Sequence, residues 1–492
     1  MVADIDPAVP SRLRWPGSRY PPRTDNLVVV AESDHQTADR PTDERHAVRA
    51  FSRWRCLTLQ VRVREGDQET SKRPVTIALA GTGSRGRTFS SFAERYPERA
   101  RVVAVADPRT ARRDALADRL GVAADRRFDD WRQLAALPPF ADAVIVTTPD
   151  HEHVGPACRF AELGYHVLLE KPIAPNRAGC IKVIEAVEKA GVILAICHVM
   201  RYTAYTDKVR EIVAGGRLGQ LVGVDQLEPI GWWHFAHSYV RGNWRRSDRA
   251  GPSILTKCCH DLDWLRYIVG RPAVAVFSRG GLHHFTAANR PAGAADRCLD
   301  CAVEPDCPYS APRLYLGCLG DPALERWPLS VVTTDLTEPG VRQALRDGPY
   351  GRCVYSSDND VADHQVVTIE FEGGVTATLT MSAFTPFDRR RTRIMGTRGF
   401  LDGDGRRLTL TDFVTGELES FDLVHTAVDA ADGHGGGDYG VMSAFLDAVS
   451  AGDPSLVRSG PRESLESHLM AFAAERSRLK GAPVRVWESP GS

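Results

Sequence analysis

Six residues of unbroken apolar character, Val75 to Ala80, run straight into Gly81-Thr82-Gly83-Ser84-Arg85-Gly86. Behind the last glycine, Phe89, Phe92, Ala93 and Tyr96 fall on one face of a helix. Strand, glycine turn and helix in this order predict a βαβ unit. The first glycine makes the tight turn, the second lets backbone approach a pyrophosphate, and the third allows close helix–strand packing. Ser84 and Arg85 stand at the helix start, where free N–H groups suit phosphate. A second strand, Val102 to Ala106, ends at Asp107, at the spacing where an acid meets the hydroxyls of an adenosine ribose. Asp107 repels a 2′-phosphate and so favours NAD, while Arg85 and Arg109 leave NADP open.

The alternation continues. Helices through Ala111–Leu120, Ala157–Leu163 and Ile184–Val187 each stop at a glycine (Gly121, Gly164, Gly191), and strands lie at 143–147, 166–169 and 193–197. Near-continuous apolar strands separated by helices predict a parallel, doubly wound sheet, a Rossmann domain over 74–197. The strand His166 to Leu169 ends in Glu170-Lys171-Pro172. Ligands of such sheets bind at the carboxyl ends of the strands, which makes Lys171 a catalytic candidate. A solvated strand-end lysine followed by a turn proline is the plainer alternative.

These residues resemble the Gfo/Idh/MocA oxidoreductases, which include glucose-fructose oxidoreductase and inositol dehydrogenase. The resemblance rests on the Gly81 loop, on Thr148-Pro149-Asp150-His151-Glu152-His153 where the family usually has T-P-N-x-x-H, and on Glu170-Lys171-Pro172. It continues through Gly251-Pro252-Ser253 and His260-Asp261-Leu262-Asp263 to Gly396-Thr397-Arg398-Gly399. It implies a C-terminal α/β domain with a large open, mostly antiparallel sheet, and sugars, cyclitols or their derivatives as substrates. It also implies a lysine beside the nicotinamide, often with a cis Lys-Pro bond. Carried onto this sequence, Thr148, Pro149, His153, Glu170 and Lys171 join Gly81, Gly83, Ser84, Arg85, Gly86 and Asp107 around the cofactor. His260 becomes the base and Lys171 the cation or proton relay. Members commonly carry an aspartate four residues before that histidine. Here the position is Thr256, followed by Lys257, so Asp261 or Lys257 is left to compensate. Asp263 reads as a structural partner. His153 either orients its loop or touches nicotinamide.

The second domain, 198–488, agrees on its own pattern. Val366–Phe371 and Val375–Met381 alternate around Gly373-Gly374, and further strands at 392–395, 408–413 and 418–423 include a pair around Thr415-Gly416. An open sheet needs its other face covered, which predicts a homodimer or homotetramer. The stretch from Gly231 to Arg245 carries Trp232, Trp233, His234, His237 and Arg241, and Asp261 follows. Indole faces with His and Arg make a carbohydrate pocket, or equally a buried aromatic cluster. His434-Gly435-Gly436-Gly437-Asp438 reads as a second pocket loop or a linker.

An insertion at about 283–355 holds Cys298-x-x-Cys301 and Cys307, with Cys318 and Cys353 further on. A structural zinc on Cys298, Cys301 and Cys307, with a fourth ligand from Cys318, Cys353, His283 or His284, is the expectation. Free thiols and an iron–sulfur site are competing readings. Sixty-two basic against sixty-three acidic residues give no electrostatic case for nucleic acid or an anionic membrane. Eleven cysteines with no apolar segment of secretory kind suggest reduced thiols in a cytoplasm. Residues 1–73, rich in Arg, Asp, Pro and Ser, read as a disordered extension. Three functions remain: an NAD(P)-dependent oxidoreductase acting on sugar, glycoside or cyclitol hydroxyls; an NAD-recycling enzyme that cleaves glycosides by oxidation, elimination and reduction; and a non-catalytic NAD-binding sensor.

Overall fold

The short apolar runs of the first domain are strands buried on both faces, which is what selects a parallel sheet covered by helices. The computed structural model describes residues 73–423 and 435–487. Residues 1–72 of the expected extension at 1–73, and His434, lie outside the described residues. Strands β1 (Val75–Ala80), β2 (Ala100–Ala106), β3 (Arg127–Phe128), β4 (Ala143–Val146), β5 (His166–Leu169) and β6 (Leu194–Ile196) form one sheet in the order β3-β2-β1-β4-β5-β6. Every pairing in it is parallel. Helices α1 (Ser84–Arg95), α2 (Thr110–Leu120), α3 (Val154–Glu162) and α4 (Arg177–Ala190) make the crossovers. This is the dinucleotide-binding strand order. It reverses between β1 and β4, and the crevice at that switch point lies beyond Gly81, Thr147 and Lys171.

The second sheet contains β7 (Leu221–Pro229), β8 (Ala273–Gly281), β9 (His364–Phe371), β10 (Thr376–Ser382), β11 (Arg391–Gly396), β12 (Gly399–Gly403), β13 (Arg407–Asp412), β14 (Leu418–Asp422) and β15 (Val484–Arg485). Its order is β14-β13-β12-β11-β7-β10-β9-β8-β15. Only β7 and β10 pair in parallel; the other pairings are antiparallel. The alternation of β9, with Val367, Ile369 and Phe371 buried and Val366, Thr368 and Glu370 exposed, marks one covered and one open face. Helices α5 (Cys259–Val269), α6 (Gly437–Ala451) and α7 (Pro461–Lys480) complete the frame. Leu465, Leu469, Met470 and Ala473 of α7 share a core with Val367 and Ile369 of the second sheet.

The expected boundary at 197/198 is crossed late in the chain. Val441, Met442, Phe445 and Leu446 of α6 pack with Val75, Ile77, Phe89 and Phe92, so this helix is a layer of the first domain. The insertion between β8 and β9 is a set of short helical turns with Leu314, Tyr315, Val341 and Leu345 buried.

Candidate active site

At the crevice, each glycine of the loop has its own reason. Gly81 has φ 102°, and a Cβ there would lie 2.5 Å from the Thr147 carbonyl oxygen; a Cβ on Gly86 would lie 2.1 Å from the carbonyl oxygen of Gly81. Gly83 is different: a Cβ would meet nothing nearer than Arg109 Nη2 at 4.0 Å. A side chain at Gly83 would thus meet no backbone of the protein within 4 Å. The α1 N-terminus behind it has no side-chain cap and no acid in its first turn, leaving its N–H groups and dipole to an anion. Ser84 and Pro149 lie exposed at the rim, and the Thr148 hydroxyl is buried with no hydrogen-bond partner. An open cradle, uncapped N–H groups and an orphaned hydroxyl fit a dinucleotide.

Asp107 closes β2. Its carboxylate accepts from Thr82 N–H and Arg109 N–H, each at 2.9 Å, and from the Arg109 guanidinium at 3.1 and 3.2 Å. Burial raises the Asp107 carboxyl, but the bonds from Arg109 and Thr82 outweigh it and hold the group below its ordinary range.

Three of the expected cofactor residues are engaged by the packing. Arg85 is bonded to Glu170 and to Asp438 at the head of α6, so its charge is met by two carboxylates. Glu170 is the other half of that pair, and its second oxygen accepts the Lys171 N–H at 2.7 Å. His153 is buried, with Nδ1 2.7 Å from the Pro172 carbonyl oxygen and Nε2 2.8 Å from that of Thr148. It ties the β4 loop to the β5 loop and has no nitrogen left for nicotinamide.

That scaffold presents Lys171. The Lys171–Pro172 bond is cis, and Lys171 Nζ donates to the Thr256 carbonyl at 3.0 Å. Thr256 lies four residues ahead of His260, which sits in the first turn of α5 with 7% of its surface exposed. Asp150 joins the lysine from the β4 loop, accepting from Trp244 Nε1 at 2.8 Å. Burial pushes the Asp150 carboxyl up, against the opposing pull of Lys171 and the indole bond. The Tyr239 hydroxyl, raised well above its ordinary range by burial, bonds to the Thr256 side chain. Asp150, Tyr239 and Trp244 have no fixed spacing from Lys171 in the sequence. The only signal was the Asp at a position where the resembling family has Asn.

Behind His260 lie His198 and His468, with ring centroids 5.9 Å from His260 to His198 and 5.5 Å from His198 to His468. His468 Nδ1–H donates to Ser464 O at 2.6 Å while Nε2 accepts the Ile173 N–H at 2.9 Å, which fixes one neutral tautomer. Burial lowers His468 to about 3 and drives His198 well below its ordinary range. Asp263 is a structural partner, gripped by the Arg201 fork at 2.7 Å on both oxygens.

Asp261 and Lys257 do not take over the missing aspartate's place. Asp261 is fully buried, held by Arg390 Nε at 2.6 Å and Gln226 Nε2 at 2.9 Å, so it reaches no substrate. Lys257 lies 3.1 Å from Glu228, whose other oxygen is 2.8 Å from Arg390. Arg390 and Glu228 came from a loop and a strand with no motif to mark them.

The aromatic stretch splits in two. Trp233 is wedged between Trp327 and Phe387 at 5.4 and 5.1 Å. His237 stacks on Tyr350 at 4.9 Å and bonds the Tyr315 hydroxyl at 2.7 Å; burial lowers it to about 3. Arg241 donates to the carbonyls of Arg352 and Tyr309, both at 2.8 Å. These three are struts to the insertion and are corrected as substrate ligands. Trp232 and His234 remain half-buried. His234 meets Trp327 edge-on at 5.0 Å; burial first, then Lys257, lowers its imidazole well below the ordinary range.

The expected zinc site is not formed by Cys298, Cys301 and Cys307. Among the described residues, no three His, Cys, Asp or Glu side chains group closely enough to hold a metal ion. Tetrahedral zinc requires all its sulfurs at about 2.3 Å from one point. Cys318 is elsewhere, bonded to Leu314 O at 3.2 Å, and His284 bonds the Tyr355 hydroxyl at 3.1 Å.

A Rossmann crevice faced by a lysine and a histidine, with an open α/β sheet as second domain, defines the class of two-domain, nucleotide-dependent oxidoreductases. Residues 75–198 match the oxidoreductase family, NAD-binding Rossmann fold, and residues 210–486 match its C-terminal alpha/beta domain. The chain belongs to the Gfo/Idh/MocA oxidoreductase family. It is 25% identical over 313 residues to the putative oxidoreductase YteT of Bacillus subtilis (60% of this chain, 70% of that one). It is 29% identical over 210 residues to D-glucoside 3-dehydrogenase of Escherichia coli, covering 41% of this chain and 56% of that protein's length. The fold is shared with an oxidoreductase domain protein from Kribbella flavida, with a TM-score of 0.62 at 18% identity over 85% of this chain and all of that one.

Proposed function

We propose that this chain is an NAD(P)-dependent oxidoreductase, with NAD preferred, moving a hydride between nicotinamide and a hydroxyl carbon of a sugar, glycoside or cyclitol. The observation that carries this is the delivery of Lys171 Nζ from the end of β5 to the Thr256 carbonyl, just ahead of His260. Bound nicotinamide supplies the hydride acceptor or donor. His260 takes the hydroxyl proton, and the Lys171 ammonium steadies negative charge developing on that oxygen. Gly81, Gly83 and Gly86 hold the pyrophosphate, with Thr148 beside it. Asp107 supports the NAD preference by taking the ribose hydroxyls and holding Arg109 away from a 2′-phosphate. Trp232 and His234 are the proposed sugar contacts from the aromatic stretch.

The substrate class draws on similar proteins whose names carry a glucoside and a cyclitol, D-glucoside 3-dehydrogenase and a myo-inositol 2-dehydrogenase of Thermotoga maritima. Oligomerisation through the open face of the second sheet completes the proposal. No helix among the described residues is long and apolar enough to cross a membrane.

The test is incubation with NAD and a panel of sugars, cyclitols and glycosides, following NADH absorbance and product mass. Net NADH with a product two hydrogens lighter is expected; tight NAD binding with no turnover on any panel member would favour the sensor. The raised carboxyl of Asp150 beside Lys171 favours one second reading, glycoside cleavage by oxidation, elimination and reduction, because elimination needs an acid for the leaving group as well as a base. Released aglycone with no net NADH would establish it.

A further inference from the structure

The insertion between β8 and β9 gathers the thiols of Cys298, Cys301, Cys307 and Cys353 around one small cavity, and all four are free. Two of them stand in a special relation. Cys298 opens a single 3₁₀ turn, Cys298–Asp300, and the Cys301 N–H closes it on the Cys298 carbonyl at 3.4 Å. Side chains three residues apart eclipse on such a turn, and its rise sets their Cα atoms roughly 6 Å apart. A disulfide spans Cα separations of about 4.4–6.8 Å, so this pair can be bridged without moving the backbone. Cys298 is buried and Cys301 is half-buried. One thiol of the pair is thus within reach of a small reagent and the other is held behind it.

Arg241 is a second, independent observation. It lines the cavity with only 2% of its surface exposed. Its Nη2 donates to Cys298 Sγ at 3.5 Å, its Nη1 has no hydrogen-bond partner, and no described carboxylate lies within ion-pair distance. The one carboxylate in the wall, Glu304, accepts from the Ser310 hydroxyl. A guanidinium cannot shed its proton, and a buried charge without a counter-charge is strongly unfavourable. Of the three partners of Arg241, two are the carbonyls of Arg352 and Tyr309, and only the Cys298 sulfur can become an anion. A thiolate is the attacking species in disulfide exchange. Burial pushes the neighbouring Cys307 thiol up, away from that form.

We propose that Cys298 and Cys301 are a redox-active dithiol, closed to a disulfide by small-molecule disulfides, with Arg241 supporting Cys298 as the attacking thiolate of the second step. In the first step Cys301 gives up its proton and attacks one sulfur of the oxidant. The oxidant's S–S bond breaks, a mixed disulfide forms on Cys301, and one small thiol leaves with the proton. In the second step Cys298 attacks the Cys301 sulfur, the mixed disulfide breaks, and a second small thiol leaves with the Cys298 proton. The chain loses two electrons and the oxidant is reduced to two thiols. The disulfide takes from Arg241 its one ionisable partner, and Arg241 is a strut that holds the insertion to the aromatic stretch.

The experiment equilibrates the folded full chain with oxidised and reduced glutathione over a range of ratios, quenches it with acid, alkylates the remaining thiols and maps the peptides by mass. A link between Cys298 and Cys301 that rises with oxidised glutathione and is reversed by dithiothreitol is expected. Cys298→Ser should stop at a glutathione adduct on Cys301. Cys318→Ser removes a thiol that lies outside the cavity and is pushed up to about 12 by burial, and it should form the link as the wild type does. Arg241→Met should slow closure roughly tenfold, and Arg241→Lys, which keeps the charge, should recover most of that loss; equal rates in all three would remove Arg241 from the step. Cys298 and Cys301 both alkylated after equilibration with oxidised glutathione alone would overturn the proposal. So would a link from Cys298 to Cys307 or Cys353. Mapping of the native chain decides the matter even where a variant fails to fold.

Discussion

Replacing Gly83 and Gly86 separately by alanine distinguishes a glycine kept for the ligand from one kept for the fold. At Gly83 the new Cβ has 4.0 Å to its nearest neighbour and the backbone φ is −68°, which alanine adopts without strain. The structural cost is therefore only the difference between Gly and Ala at an N-cap, under about 1 kcal/mol. Yet the methyl stands in the approach to the α1 N-terminus, and overpacking against a pyrophosphate costs about 1–3 kcal/mol, a roughly 5- to 150-fold rise in Kd. At Gly86 the Cβ would lie 2.1 Å from Gly81 O, a backbone atom that moves only if the whole turn moves. Gly86→Ala should thus lower stability by at least about 1–3 kcal/mol before any ligand is added. Thermal melts of the apoprotein and calorimetric titration with NAD read the two effects apart. Wild-type NAD affinity in Gly83→Ala, or equal melting losses in both variants, would refute the assignment of the loop.

Lys171→Met should keep NAD binding and lower kcat by roughly 10²–10⁴-fold; a steady-state rate near wild type would remove Lys171 from the chemistry. Arg201→Met strands the buried Asp263 carboxylate and should cost about 3–5 kcal/mol in urea denaturation, with partial recovery in the Arg201→Met/Asp263→Asn double variant. His468 is held near 3 in the fold against about 6.5 when unfolded, so between those values the unfolded chain binds the extra proton. Its contribution is complete above pH 6.5 and lost as pH falls towards 3, at about 1.4 kcal/mol per pH unit. His468→Gln should flatten the stability–pH slope below pH 6 by that amount, and an unchanged slope would mean that His468 is already charged in the fold.

The first domain was legible in the chain because its rules are local. Apolar runs of strand length, helices stopped at Gly121 and Gly191 and the spacing from Gly81 to Asp107 are decided within a few turns of backbone. Lys171 was legible for the same reason, since a strand end in a parallel sheet has one kind of surroundings. The β9–β10 hairpin also followed from a pattern of alternate residues and two glycines. Partners across the fold were not local. Arg85 reads as a phosphate ligand until α6 returns and brings Asp438 onto it. Asp261, adjacent to His260, reads as a catalytic partner until a helix periodicity turns it away and Arg390 meets it from the loop ahead of β11. Arg241 beside two tryptophans suggests a sugar pocket, and only the closure of the insertion turns it towards four thiols.

Residue type, spacing and periodicity thus determined the Rossmann sheet, the hairpins of the second domain and the position of the lysine. These rest on backbone preference and on which face of an element is apolar. The tertiary structure alone decided which charges are free to act. Pairing energy depends on the distance between groups far apart in the chain and on the water excluded around them, and neither quantity is written at any single position.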